Sequence, residues 1–516
     1  MLGCSSLPRA LSVRKAHLHT SRTVRSQISS VVDVLEARKL VQATTSRALK
    51  DHLQTKHATS TFLPRTIYSG VDPSAISLHV GNLLPLIALL HCSLHGHNSL
   101  VLIGGATGAI GDPSGRSTER SALDMEQLNK NVMAIRTQLY QFFHNAAAYL
   151  SRRGLIHATP VMFSPEVSEV GEPLFQDSLN IQILNNYNWF KNVSMLEFLS
   201  GVGRYARVND MLARDSVKSR LFPTNGSIAG ISFTEFSYQL MQAHDFSVLH
   251  KDKQCSVQLG GSDQMGNIMA GIDLIRRQRA AQADSTANPN MREEPAYGLT
   301  LPLLTTASGA KFGKSAGNAV WISSSLLSDF DFYQYFMRSA DVDVERYLLS
   351  LTLLPIEKIE QIMAEHAQDR SKRIAQRWLA SEMTELVRGE KALQKATLAT
   401  NVLFNTDLQS LTLDQVEFAF ENDPRLVYLK EPVEDVIQLA TETKLVASRS
   451  MYLHYFYTNK FTGETRRFIQ QKSGLYLNNK SVTDVHAKVS QDELLQGRFI
   501  VMRAGRSNHK IIVFPH

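Results

Sequence analysis

The sequence predicts an α/β protein, a parallel sheet covered by helices, continued by a helical region and a basic, partly extended C-terminal part. Three observations predict it. Strand-length apolar runs near Ile67 and at Ser99–Ile103 are separated by a helix-length apolar stretch, Leu78–Leu94, and such alternation builds parallel sheets with helical crossovers. From residue 323 to about 425, apolar side chains recur at helical spacing with few strand signals. After residue 444 strand-like alternation returns at 474–480 and 498–514, among many Lys and Arg.

The bulk properties narrow the class. The chain has 516 residues, 43% hydrophobic and 20% charged, which is ordinary for globular protein and long enough for two to four domains of about 100–200 residues. The longest apolar run, Leu83–Leu90, contains Pro85 and stops at His91. It falls well short of the roughly 18 residues a membrane span needs, so no membrane partner is expected. Three cysteines, Cys4, Cys92 and Cys255, exclude a disulfide framework and a four-cysteine zinc site. His91, His95 and His97 lie together without a nearby carboxylate and are expected to form a solvated helix end and turn, not a metal site.

The net charge of +7 is uneven. Residues 1–32 carry five Lys or Arg and no acid, and residues 444–516 carry twelve against four acids, so the long middle is net acidic. The first end is Arg- and Ser-rich with spaced apolar residues Leu7, Leu11 and Leu18. That pattern predicts a mitochondrial presequence over 1–30, removed near residues 20–30, rather than a secretory signal with one continuous apolar core. The basic C-terminal end predicts an RNA-binding surface.

Along the body, residues 31–55 predict two short helices, and the run near Ile67 breaks at Gly70 and Pro73. Strand Ser99–Ile103 feeds the turn Gly104-Gly-Ala-Thr-Gly-Ala-Ile-Gly111-Asp-Pro-Ser-Gly115. This turn is neither a P-loop nor a dinucleotide fingerprint, because Lys and Gly are missing at the required places. It reads either as a tight connection needing positive φ, which the turn alone favours, or as one that also lets a ligand approach the backbone with Asp112 at the rim. Residues 123–150 and 195–215 predict amphipathic helices, and Gly230–Asp245 a further one capped by Ser232 or Thr234. Residues 278–296 read as a polar surface insertion.

Two widely separated stretches carry the strongest chemistry. His79-Val-Gly-Asn82 opens a helix, whose free N–H groups and dipole attract phosphate. Lys311-Phe-Gly-Lys-Ser315 places two cations on a Gly/Ser-rich loop that can neutralise a triphosphate. Tyr238, Gln242 and Asp245 fall at i, i+4 and i+7, one face of a helix. That face is either a polar pocket wall or a solvent-facing stripe. Gln258-Leu-Gly-Gly-Ser-Asp263-Gln264 supplies another strand end and tight turn, and ligands in open parallel sheets bind at such strand ends.

Six ordered motifs, Tyr68-Ser-Gly-Val-Asp72-Pro-Ser-Ala, His79-Val-Gly-Asn82, the glycine turn 104–115, Ser232-Phe-Thr-Glu-Phe-Ser-Tyr238, Gln258–Gln264 and Lys311–Ser315, together resemble bacterial-type tyrosyl-tRNA synthetase. With the presequence, the chain resembles a mitochondrial, fungal form. The resemblance implies a class I aminoacyl-tRNA synthetase with a Rossmann-like catalytic domain over 31–300 and a KMSKS-type loop and linker over 301–322. An α-helical anticodon-binding domain over 323–428 and a small α-L type RNA-binding domain over 429–516 would follow. It implies ATP as substrate with its Mg²⁺, no protein-ligated metal, L-tyrosine and mitochondrial tRNA(Tyr) as partners, a homodimer, and the mitochondrial matrix as location.

Residue by residue, the resemblance implies that Tyr68 and Asp245 hold the substrate phenol and that Asp112, Tyr238 and Gln242 hold its amino group. Asp72 and Gln264 would lie near the amine and carboxylate. Ser69, Gly70, Gly81, Gly260, Asp263 and Ser315 would bind ATP. Ser74, His79, Asn82, Lys311 and Lys314 would stabilise the triphosphate during reaction. Arg466, Arg467, Lys472 and Lys480 would meet RNA. The chain departs from the family pattern at Asn82, Phe312-Gly313, Asn188 and Met265, none of which removes an expected transition-state group. A tryptophanyl-tRNA synthetase shares the fold and ATP motifs, and an added role in group I intron splicing fits the insertion and basic tail. Tyr68 and Asp245 favour tyrosine.

Overall fold

The computed structural model describes residues 30–54, 63–114, 124–157, 174–175, 179–221, 230–282, 295–305, 309, 314–315, 318–404, 408–445, 474–505 and 508–515. The expected presequence therefore lies outside the described residues. Among the described residues, no helix is long and apolar enough to cross a membrane.

Two short helices, α1 (Val31–Ala37) and α2 (Ala48–His52), flank strand β1 (Ala43–Thr44). The central sheet adds β2 (Thr66–Val71), β3 (Asn98–Ile103), β4 (Ile181–Asn185), β5 (Cys255–Gly261) and β6 (Tyr297–Leu301) in the order β1-β6-β5-β2-β3-β4. All neighbours are parallel except the edge pair β1–β6. The chain winds β2, β3, β4 to one side, then crosses back to place β5 against the other edge of β2. That reversal opens a crevice beyond the carboxyl ends of β2 and β5, where open α/β sheets bind ligands.

Helices α3 (Leu83–Leu94), α4 (Thr107–Ile110), α5 (Met125–Arg152), α6 (Tyr187–Phe190), α7 (Met195–Gly201), α8 (Val208–Leu212), α9 (Asp215–Leu221), α10 (Phe233–Lys253) and α11 (Met265–Gln282) complete this part. Strand side chains alternate between two cores, as burial on both faces requires. Ile67, Val101 and Ile103 pack with α3 and α5, whereas Tyr68, Leu100 and Leu102 pack with Phe246, Leu249 and Ile272 of α10 and α11. The sheet is the middle of three layers.

Three sequence expectations are corrected here. The helix expected over 195–215 is broken into α7, a 3-10 turn at Gly203–Tyr205 and α8, because Gly201 and Gly203 interrupt the helical run. The first five residues of the supposed insertion at 278–296 belong to α11, and 283–294 lie outside the described residues. His91 and His97 are buried rather than solvated, and burial lowers both imidazoles, His97 to about 4, so each is neutral at physiological pH.

The hairpin β7 (Lys314–Ser315) and β8 (Asn318–Ala319) precedes six helices, α12 (Asp329–Met337), α13 (Val344–Leu351), α14 (Ile356–Gln368), α15 (Ile374–Arg388), α16 (Glu390–Phe404) and α17 (Leu413–Ala419). The apolar faces of α12–α15 and the first half of α16 continue the α3/α5 core, while the end of α16 and α17 pack in a separate cluster. Polar contacts bind the two parts as well. Arg153 on the residue after α5 bonds Glu382 at 3.1 Å and Glu385 at 3.0 Å, and Tyr149 donates to Glu382. The Arg38 guanidinium donates to the carbonyls of Leu349, Thr352 and Leu354.

A second sheet follows, built from β9 (Leu426–Tyr428), β10 (Leu475–Leu477), β11 (Lys480–Ser481), β12 (Phe499–Ala504) and β13 (Asn508–Val513), in the order β11-β10-β12-β13-β9. One face packs Phe499, Val501 and Ile511 against α16 and α17, and the other packs Ile500, Met502 and Ile512 against α18 (Val436–Glu442). Strand β9 pairs in parallel with β13. A boundary at 428/429 therefore leaves the sheet's last strand on the helical side, although its hydrogen bonds are made with the C-terminal part.

Candidate active site

The crevice at the ends of β2 and β5 collects the polar motifs. Asp72 follows β2 directly, Asp112 lies within the glycine turn after β3, and Gln264 closes the 3-10 turn after β5. Helix α10 starts where Ser232 accepts from the Glu235 N–H, so Ser232 and not Thr234 is the cap. It then runs its polar stripe along the crevice. Tyr238 is 5% exposed and Asp245 3%, which removes the solvent-facing alternative.

Each member of the stripe has a partner across the crevice. The Tyr238 hydroxyl donates to Asp72 Oδ2 at 3.0 Å, and Thr107 Oγ1 reaches Asp72 Oδ1 at 3.4 Å. Gln242 donates to Gln264 Oε1 at 3.2 Å, and Gln264 donates to Asp112 Oδ2 at 2.7 Å. Asn267 on α11 donates to Gln242 Oε1 at 3.0 Å and Ser114 Oγ at 3.2 Å. Two carboxylates, Asp72 and Asp112, thus stand together with amide and phenol groups holding them, a cradle suited to an ammonium group.

Deeper in the crevice, Asp245 accepts from Asn186 Nδ2 at 3.0 Å and Trp189 Nε1 at 2.8 Å. Burial raises this carboxyl to about 7, opposed by those two hydrogen bonds and assisted by the nearby charge of Asp72. Tyr68 lies beside it, 1% exposed, and among the described residues its hydroxyl has no hydrogen-bond partner. Burial, and then the Asp245 charge, push the Tyr68 phenol well above its usual range, so it stays a neutral donor. An orphaned buried hydroxyl costs about 1–3 kcal/mol. Next to a carboxylate, it forms a recess complementary to another hydroxyl.

Asn186, Trp189, Thr107 and Asn267 were not singled out from the sequence. Asn186 is central: its Oδ1 accepts the Ala106 N–H at 2.7 Å while its Nδ2 also meets Thr107 Oγ1 at 3.0 Å. One amide thereby fixes the glycine turn to Asp245. The only available signal was their place just after a strand end. Asn188, the noted departure, is exposed on α6.

The glycine turn is tight for a different reason than positive φ. Of its described glycines only Gly111 has φ of +86°. A Cβ on Gly104 would sit 2.4 Å from Asp72 Oδ1 and from Thr107 Oγ1, and one on Gly105 would sit 2.2 Å from Asn185 Oδ1. Close approach of polar side chains, not backbone strain, excludes a methyl there. Gly260 is similar, since a Cβ would meet Gln264 Cβ at 2.9 Å.

His79 caps the 3-10 turn Val80–Asn82 that leads into α3. Its Nδ1 accepts from Gly81 N at 3.0 Å, while Asn82 Oδ1 accepts from His79 N at 3.0 Å. With Nδ1 accepting, the neutral ring carries its proton on Nε2, a donor suited to phosphate oxygen. Asn82 thus closes a capping box as well as replacing a histidine. Gly81 gives up no space to a side chain, and Ser69 is buried on β2 with Gly70 exposed beside it. Ser74 and Asp263 stand exposed at the rim. Lys314 and Ser315 form β7, and Lys311 lies outside the described residues. The segment after this hairpin returns to the other motif: Val80 N–H bonds Val320 O and Ile322 N–H bonds Leu78 O, both at 2.9 Å. Arg466, Arg467 and Lys472 lie outside the described residues, and Lys480 is exposed on β11.

A parallel sheet with a switch-point crevice, a histidine-capped turn bonded to the segment that follows a lysine-bearing hairpin, and a pair of hydrogen-bonded carboxylates at the strand ends point to a class, and comparison agrees. The family described as "tRNA synthetases class I (W and Y)" matches residues 63–405, and the chain belongs to it. Within that class, a tyrosine–tRNA ligase of Levilactobacillus brevis is 37% identical over 86% of this chain and 91% of its own length. A chloroplastic/mitochondrial tyrosine–tRNA ligase of Arabidopsis thaliana is 38% identical over 94% and 83%. A C-terminally truncated mitochondrial tyrosyl-tRNA synthetase of Aspergillus nidulans superposes with a TM-score of 0.62 at 33% identity, over 74% of this chain and 96% of that one. The chain is a member of the tyrosyl-tRNA synthetases, the tyrosine–tRNA ligases of class I.

Proposed function

We propose that the crevice carries out both steps of tyrosine–tRNA ligation, with the residues in the following roles. The tyrosine ring enters beside Tyr68, whose hydroxyl donates to the substrate phenol oxygen while the phenol donates to Asp245. The ammonium group rests between Asp72, Asp112 and Tyr238, with Gln242 and Gln264 setting the carboxylates. Held so, the substrate carboxylate attacks the α-phosphorus of ATP in line, forming tyrosyl-adenylate and releasing pyrophosphate. Mg²⁺ arrives as part of the nucleotide substrate. Gly70, Gly260 and Asp263 bound the adenosine side with Ser69, and Ser74, His79, Lys311, Lys314 and Ser315 receive the triphosphate. No protein nucleophile takes part; alignment and charge stabilisation supply the rate. A ribose hydroxyl at the tRNA 3′ end then takes the tyrosyl group.

The observation that carries this reading is the orphaned Tyr68 hydroxyl beside the Asn186- and Trp189-bonded Asp245. Two variants test it. Tyr68→Phe is expected to leave stability unchanged or raised while weakening tyrosine binding about tenfold, the equivalent of one lost hydrogen bond. Lys314→Ala is expected to slow adenylate formation at least about a hundredfold with tyrosine binding retained. Equal effects of both variants on both quantities contradict the assignment.

Mitochondrial tRNA(Tyr) is the proposed acceptor and the matrix the proposed location, supported by mitochondrial relatives and the N-terminal composition. Domains over 31–300, 301–322, 323–428 and 429–516 are proposed to bind ATP and tyrosine, the triphosphate, the anticodon, and further RNA through Lys480 and its basic neighbours Arg466, Arg467 and Lys472. A homodimer is proposed through α7 and α8, where Met195, Leu196, Leu199 and Val208 are 46–79% exposed. Such a patch of large apolar side chains marks a protein contact.

A further inference from the structure

The two ATP-site stretches meet through one short segment, Val320–Ser323. Its Val320 carbonyl and Ile322 N–H bond Val80 and Leu78, and the Ser323 N–H donates to Ser77 Oγ at 3.3 Å. This places the segment beside His79 as an extra strand, with Trp321 opposite the histidine. Among the described residues no strand pairs with the other edge of the segment. Its three successive carbonyls, Trp321, Ile322 and Ser323, all turn to Arg388, the last residue of α15.

Arg388 donates from Nε to Ile322 O at 3.1 Å, and from Nη2 to Trp321 O at 3.1 Å and Ser323 O at 3.4 Å. Its Nη1 donates to Asp329 at 2.9 Å. The guanidinium lies 4.2 Å over the Phe332 ring, and the side chain is 4% exposed. Four of its five N–H hydrogens are thereby spent in one rigid fork, three of them on one stretch of backbone. A lysine cannot reproduce this, because its three donors radiate from a single nitrogen.

The rest of α15 is anchored too. One and two turns earlier, Glu385 and Glu382 bind Arg152, Arg153 and Tyr149 at the end of α5. Helix α5 in turn touches the histidine-bearing stretch, since Gln138 accepts from Leu78 N–H and Ser77 Oγ at 3.0 Å. The segment and the stretch it supports are thus fixed from both sides by a helix of the C-terminal helical region.

We propose that Arg388 is a positioning residue for adenylate formation: by gripping the Trp321–Ser323 backbone it sets where His79 stands over the triphosphate. It touches no substrate and acts through the strand bonded to Leu78 and Val80. Small displacements of an aligned group cost rate steeply, up to about a hundredfold for 1 Å. This inference rests on the ATP role assigned to His79.

The test uses the full chain with Arg388→Ala, Arg388→Lys and His79→Ala, measuring the single-turnover rate of adenylate formation, KM for ATP and for tyrosine, and Tm. Well below Tm, Arg388→Ala is expected to slow adenylate formation about tenfold to a hundredfold, with KM for tyrosine within about twofold of the parent. Arg388→Lys is expected to lie between, since charge without the fork holds the segment less well. A parental rate in Arg388→Lys or Arg388→Ala overturns the proposal, as does a fall in rate matched by an equal loss of tyrosine binding. If Arg388→Ala does not fold, Arg388→Lys decides by the same criterion. A parental rate in His79→Ala would instead remove the underlying ATP-site reading, whereas an impaired His79→Ala beside normal Arg388 variants removes only the role of Arg388.

Discussion

At the Asp245 carboxyl two opposed influences meet, and their balance is open to titration. Burial raises the group from 3.8 to about 7, while Asn186 and Trp189 hold it back. The folded protein therefore binds this proton more tightly than the unfolded chain. The stability tied to the group is complete below about pH 4 and is lost as pH rises through about 7. In the proposed binding mode tyrosine binding runs the other way, because there the substrate phenol donates to the ionised carboxylate. The value of kcat/KM for tyrosine is thus expected to rise through about pH 7, and Asp245→Asn to abolish both dependences. Thermal melts and pyrophosphate-exchange kinetics from pH 5 to 9 check the two halves separately. Asp245 itself was legible in the sequence from its place seven residues after Tyr238. Asn186 and Trp189 were not, since no spacing links a loop after β4 to a helix some sixty residues later.

Among the elements, the glycine turn after β3 shows how a local reading and a tertiary one diverge. Its glycines suggest left-handed backbone, yet at Gly104 the constraint is the Asp72 and Thr107 oxygens at 2.4 Å from any Cβ. Gly104→Ala is accordingly expected to destabilise the protein by about 1–3 kcal/mol through overpacking and to weaken tyrosine binding, because Asp72 must move. A melt combined with equilibrium tyrosine binding checks this, and loss of stability with intact binding would contradict it. The long amphipathic α5 could be read from apolar spacing, α3 from its nearly unbroken apolar run, and α10 from its Ser232 cap and polar stripe. The break between α7 and α8 was missed although Gly201 and Gly203 mark it, as the apolar residues continue through it. The burial of His91 and His97 was equally hidden, because it depends on the N-terminal segment packing over them.

For the whole molecule, the order of the parallel strands decides where the site falls. Strands β2, β3 and β5 could be read from apolar runs and turn chemistry and β1, β4 and β6 were not, while the return of β5 to the free edge of β2 is a long-range choice that no local pattern records. The same holds for the core shared by the catalytic sheet and helices α12–α15, which makes a mechanical unit of regions that composition separates. The exposed apolar face of α7 and α8 predicts a dimer, and Leu196→Glu is expected to yield a monomer by light scattering at micromolar concentration, with unchanged secondary structure. The central claim, that the Tyr68–Asp245 recess selects a phenol, is tested most directly by ATP–pyrophosphate exchange with tyrosine, phenylalanine and tryptophan in parallel. A site built around a hydroxyl rejects the analogue lacking it by about 10⁴–10⁵, and tyrosyl-tRNA synthetases are the best-known illustration of that asymmetry. Exchange supported by tyrosine, with phenylalanine and tryptophan at least about 10⁴ lower, is the predicted result. Exchange supported by tryptophan, or by phenylalanine at a comparable rate, would contradict it.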